Sequence, residues 1–207
     1  MKLKKLLLTL IVLILLLPYQ QINAESESPD ITAGAALLMD SKTSKILYSK
    51  NENEKMYPAS TTKIMTAILT IENCNLDDIV TVPYDAIATI PSGYSIAALQ
   101  TGEQLTVNQL LQLMMVHSAN DAANVLAFHV AGSIESFATM MNTKVAELGL
   151  EHTHFLNPSG MHNEDHYTTA YDLAKLMQYC MKNSTFRTIA GLSLIHISEP
   201  TRPRLIS

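Results

Sequence analysis

Cysteine is almost missing from this chain: Cys74 and Cys180 are the two in 207 residues. That is too few for a disulfide framework or a cysteine-based zinc site. They can pair with each other in an exported protein or stay apart as buried thiols, and the residues do not choose. Basic runs are absent beyond the first five residues. With 14 Lys and Arg against 19 Asp and Glu the net charge is −5, which argues against nucleic acid as a partner. Internal repeats and low-complexity blocks are also lacking. So is an apolar run of the ~20 residues that a bilayer requires. The longest, from Leu6 to Leu17, is a little over half of that.

That run has a different use. Lys2, Lys4 and Lys5 precede it, and small Ala24 follows before a polar stretch. Residues 1–24 therefore read as a secretory signal peptide cleaved after Ala24, and an exported, extracytoplasmic protein is expected. A retained anchor helix is the alternative, and the shortness of the run speaks against it. No cysteine lies near the cleavage point to carry a lipid. At the other end, "LSLIHISEPTRPRLIS" holds two prolines and no sustained periodicity. It resembles read-through into foreign DNA, so residues 191–207 are set aside as a non-native tail, with the natural chain expected to continue past Ala190. Residues 25–190 suffice for one core and a small second lobe.

Within them, "ITAGAALLMD" and "KILYSKN" flank "SKTS" and predict an antiparallel hairpin. "DIVTV" and "YSIAAL" predict short strands or extended segments, joined by the loop-rich "PYDAIATIPSG". Thr106 with Gln109 has the capping-box spacing and opens a helix with an apolar stripe of Val107, Leu110, Leu111, Met114 and Met115. A helix from "NDAANVL" should close at Gly132, and another should run from Ser133 to Gly149. A further helix is entered through Thr168 or Thr169. The class is α/β in the broad sense (α+β): an antiparallel sheet with helices to one side plus a helical lobe. Two or three strands are too few for an independent sheet, so later strands are expected to be missing from this sequence.

The stretch "YPASTTKIMTAIL", residues 57–69, places Ser60 at the mouth of a helix whose apolar face is Ile64, Met65, Ala67, Ile68 and Ile71. Lys63 is one turn behind it. On one reading Ser60 is an N-cap and Lys63 is solvated. On the other, Ser60 is a nucleophile and Lys63 its base, because a serine hydroxyl needs a neighbour to take its proton and a desolvated lysine can do so. The helix N-terminus would also favour a developing oxyanion. Ser-x-x-Lys alone does not decide between them.

Ser118-Ala119-Asn120 interrupts two apolar helices. Ser and Asn are ordinary residues at such junctions, and Ser49-Lys50-Asn51 matches Ser-x-Asn with no motif context. Two polar points on rigid helices can nonetheless face each other across a cleft. In combination, Ser60-Thr61-Thr62-Lys63 and Ser118-Ala119-Asn120 resemble the penicillin-recognising serine enzymes. Together with "NPSGMHNEDHYTTAYDLA" they resemble the D-alanyl-D-alanine carboxypeptidases among the low-molecular-mass penicillin-binding proteins, peptidase family S11, over about residues 31–190.

The resemblance implies a serine β-lactamase/transpeptidase-like fold and a serine hydrolase that removes the terminal D-alanine of peptidoglycan stem peptides and is acylated by β-lactams. Ser60 would form the acyl-enzyme and lend its N–H to the oxyanion hole, and Lys63 would be the base. Ser118 would relay a proton to the leaving amine, and Asn120 would hold the substrate amide and fix Lys63. No metal or other cofactor is implied, and any membrane association would come from a C-terminal anchor not visible here. The family's third element, Lys-Thr-Gly, occurs nowhere in the chain. Truncation before its strand is the expected cause, and the 207 residues alone are expected to be inactive and poorly folded.

Three other readings compete with this one. A class A β-lactamase usually has Asp where Ala119 stands, and its Glu-x-x-Leu-Asn segment is absent. A metal site built on His152, His154, His162 and His166 lacks a His-Glu-x-x-His helix, since "HNEDH" lies in a loop-rich segment. A wall-binding module would keep the motif serines only as structural residues.

Overall fold

A computed structural model describes residues 29–193. Two compact units divide the chain, 1–31 and 32–207. Of the first only residues 29–31 are described, as irregular backbone. The expected signal peptide and nearly all of the expected tail lie outside the described residues.

The second unit opens with β1 (Ala36–Met39) and β2 (Ile46–Lys50), paired antiparallel with a bulge between Leu38 and Met39. The reversal is organised by Asp40. Its carboxylate accepts from the Thr43 N–H at 2.7 Å, the Thr43 hydroxyl at 2.7 Å and the Lys42 N–H at 3.1 Å. These bonds, led by the one from the Thr43 hydroxyl, hold the Asp40 carboxyl below its usual pKa. Leu38 and Leu47 of the hairpin are exposed.

A 3-10 turn, Ala59–Thr62, then leads into α1 (Lys63–Asn73). α1 is buried on more than its predicted face, since Thr66 and Thr70 are inside as well. Both threonines are satisfied, Thr66 on the Pro158 carbonyl and Thr70 on the Thr66 carbonyl. β3 (Ile79–Thr81) and the one-turn α2 (Tyr84–Ile87) follow.

β3 pairs antiparallel with β4 (Gln104–Thr106), Val80 opposite Leu105, whereas Tyr94–Leu99, expected to be a short strand or extended segment, forms no strand. That segment stays irregular because the Asp121 carboxylate takes its Ala97 and Leu99 N–H groups at 2.9 and 3.0 Å. A buried carboxylate thus supplies the acceptors that a neighbouring strand would have offered.

The helical lobe comprises α3 (Val107–His117), α4 (Asn120–Ala131) and α5 (Ile134–Leu148), followed by α6 (Ala170–Cys180) and α7 (Ser184–Ala190). The Thr106–Gln109 capping box forms in both directions. Ser133 and Thr169 cap α5 and α6 through their hydroxyls. Gly132 ends α4 at φ 81°, a conformation glycine reaches without penalty. α4 is the central helix, buried from Asn120 through Ala127, and packs against α1, α2, α3 and α5. The sequence reading missed α7, whose Phe186 and Ile189 complete the core. Cys74 and Cys180 are free thiols. Among the described residues no helix is long and apolar enough to cross a membrane.

Candidate active site

The Ser60 hydroxyl is exposed at the surface of the 3-10 turn and caps nothing; Pro58 is the N-cap of that turn, without a side-chain bond. The capping reading of Ser60 therefore does not hold. Its oxygen lies 3.2 Å from Lys63 Nζ and 2.9 Å from Ser118 Oγ. Ser118 is delivered by the α3–α4 connection, where it takes the left-handed conformation at φ 56°. That conformation turns the chain between two helices in a single step and aims the hydroxyl at Ser60 in the 3-10 turn. Asn120, two residues on, begins α4 with its N–H on the Ser95 carbonyl at 2.9 Å. The structure thus brings Ser60, Lys63, Ser118 and Asn120 together.

Lys63 is 3% exposed. Besides Ser60, its ammonium nitrogen donates to Asn120 Oδ1 and to the Ser159 carbonyl, each at 2.7 Å. Burial pulls its pKa from 10.5 down to about 8. Two short bonds to fixed acceptors use two of the amine protons. The third tetrahedral position of the nitrogen faces Ser60, so a neutral Lys63 would present its lone pair to that hydroxyl.

The Ser159 carbonyl belongs to a part of the site that reasoning from the residues did not find. Asn157 Oδ1 accepts from the Ser159 N–H and hydroxyl, each at 3.2 Å, the Gly160 N–H at 2.7 Å and the Met161 N–H at 3.0 Å. This turns the 157–161 loop so that the Ser159 carbonyl points at Lys63. Gly160 has φ 85°, and a Cβ there would lie 1.7 Å from the Ala59 carbonyl oxygen. Only glycine lets the loop press against the turn that carries Ser60. The signal available in the sequence was Asn157-Pro158-Ser159-Gly160, a strong turn pattern with no indication of what the turn serves.

The loop histidines do other work. His154 Nδ1 bonds the Asp165 carbonyl at 2.6 Å, and His162 stands edge-on to Tyr57. His166 is buried, with both ring nitrogens engaged by protein groups. Among the described residues, no group of three or more His, Cys, Asp or Glu side chains is placed to hold a metal ion.

The fold is that of the penicillin-binding proteins. Over 79% of this chain and 56% of the other, it superposes on penicillin binding protein 6B from Escherichia coli with a TM-score of 0.71 and 34% identity. The family profile of peptidase S11, D-alanyl-D-alanine carboxypeptidase, matches residues 22–198, and the chain belongs to that family. Among curated relatives, D-alanyl-D-alanine carboxypeptidase DacF of Bacillus subtilis is 35% identical over 208 aligned positions, covering 96% of this chain and 53% of the relative. DacC of Escherichia coli is 40% identical over 158 positions, covering 72% and 40%. The chain thus spans 53% and 40% of these two curated relatives.

Proposed function

We propose that the full-length protein is a serine-type D-alanyl-D-alanine carboxypeptidase of the bacterial cell wall, exported through residues 1–24 and acylated by β-lactams. The observation that carries this reading is the convergence on Ser60 Oγ of a buried lysine nitrogen and a second serine hydroxyl, from segments 58 residues apart in sequence. Lys63 takes the Ser60 proton as the Ser60 oxygen attacks the carbonyl between the two terminal D-alanines. Asn120 Oδ1 and the Ser159 carbonyl keep the amine lone pair on line for that transfer. The proton leaves through Ser118 to the departing D-alanine amine, and an ester on Ser60 remains. Water then attacks that ester, its proton returns along the same route, and Ser60 is regenerated. The Ser60 N–H contributes one donor to the oxyanion. A Lys-Thr-Gly element is absent from the 207 residues, so the second donor and the pocket for the terminal carboxylate are assigned to the longer protein.

The test is release of D-alanine from an acylated tripeptide ending in D-Ala-D-Ala by the full-length protein, with Ser60→Ala alongside. Release by the unaltered protein and none by the variant is the expected result. Equal release by both would refute the assignment.

A further inference from the structure

His166 bonds Thr62 of the 3-10 turn and takes no part in the chemistry described above. It is 2% exposed, yet its ring is not simply packed. Nδ1 lies 3.1 Å from the Leu156 N–H, with Asn157 Nδ2 farther off at 3.4 Å. A backbone N–H can only donate, so Nδ1 is an acceptor and the single proton of a neutral imidazole sits on Nε2. Nε2–H therefore donates to Thr62 Oγ1 at 2.8 Å. The ring is further fixed edge-on against Phe155, with centroids 5.4 Å apart.

What this ring joins matters more than its being satisfied. Thr62 stands between Ser60 and Lys63, in a turn with no side-chain cap that begins at strained Ala59, φ 47°. Leu156 and Asn157 begin the loop that presents the Ser159 carbonyl to Lys63. One imidazole thus holds, through a donor at one end and an acceptor at the other, the two segments whose spacing sets the lysine geometry. We propose that His166 is a positioning residue for Ser60 acylation, locking the nucleophile turn to the 157–161 loop as the neutral, Nε2-protonated tautomer. This rests on the roles assigned above to Ser60 and Lys63. Burial, reinforced by His154, pulls the His166 pKa down to about 4, in keeping with a ring that stays neutral.

Glutamine can copy both bonds, donating from its amide nitrogen and accepting at its amide oxygen, whereas alanine copies neither. In the full-length protein, His166→Ala should slow acylation by a fluorescent penicillin ~10–100-fold per folded molecule, the scale of a misplaced reacting group. His166→Gln should stay within about threefold of the parent. Thr62→Val removes the other end of the bond and should match His166→Ala, with the double variant no slower than either. Wild-type acylation in both His166→Ala and Thr62→Val would overturn the proposal, as would His166→Gln as slow as His166→Ala. Should His166→Ala fail to fold, His166→Gln and Thr62→Val still decide. A histidine-selective 15N spectrum at neutral pH gives a readout independent of activity: Nδ1 bare and Nε2 protonated is expected, and the opposite tautomer or an imidazolium contradicts it. A parent protein that takes no penicillin refutes the carboxypeptidase reading, and the tautomer then judges the His166 lock separately.

Discussion

Replacing Lys63 by arginine isolates the basicity of the buried amine from its charge. Held at about 8, Lys63 is a free amine in about 9% of molecules near pH 7, against about 0.03% at the ordinary 10.5. Burial therefore raises the population able to accept the Ser60 proton about 300-fold. A guanidinium, with a pKa above ~12, leaves at most ~0.001% neutral at the same pH. The expected loss in acylation rate is then ~10⁴-fold, before any cost of fitting a fork among acceptors set for one nitrogen 2.7 Å away. Stopped-flow labelling with a fluorescent penicillin across pH measures it. The parent rate should climb about tenfold per pH step below about 8 and level off above, because deprotonation creates the active form. Lys63→Arg should lose that limb together with the rate. A variant that keeps the limb, or acylates within tenfold of the parent, would show that another group is the base.

Ser118→Ala should leave stability within ~1 kcal/mol, since alanine meets the same φ 56° as serine, while slowing turnover by removing the hydroxyl 2.9 Å from Ser60. Thermal unfolding and D-alanine release separate the two effects, and normal turnover per folded molecule would remove Ser118 from the mechanism. Gly160→Ala should cost more than ~2 kcal/mol and impair acylation, because the new Cβ must displace the Ala59 backbone next to Ser60; an unchanged denaturation midpoint would contradict the close approach. For His166 the sign of the pH effect follows from its lowered pKa. Between 6.5 and about 4 the unfolded chain binds a proton that the folded chain refuses, so stability falls as pH drops through that window and is flat below it. The expected loss is about 3 kcal/mol, to be read from denaturant titrations across that window, and His166→Gln should remove that part of the slope.

The elements that the sequence made legible are those with local causes. The 36–50 hairpin, the Thr106–Gln109 box and the glycine ends at 132 and 149 each depend on residues a few positions apart, and each formed. Tyr94–Leu99 forms no strand, against one half of its reading, because two of its backbone N–H groups bond Asp121, more than 20 residues away and invisible to a periodicity argument. The same distinction runs through the site. Ser60 and Lys63 at one-turn spacing, and Ser118 and Asn120 at the break between helices, are ordinary patterns singly and pointed to a site only in combination. The Ser159 contribution is a backbone carbonyl, which any residue could supply. His166 meets Thr62 across 104 positions, in a loop where histidines are ordinarily exposed. Contacts of that kind are created by packing and carry no local pattern.

The assignment of Ser60 as the nucleophile is tested most directly by finding where penicillin attaches. The full-length protein is treated with a β-lactam, digested, and the adduct located by peptide mass mapping. One adduct per molecule, on the peptide containing Ser60 and fragmenting to that residue, is the predicted result. An adduct on Ser118, or an intact protein of unchanged mass, would contradict it.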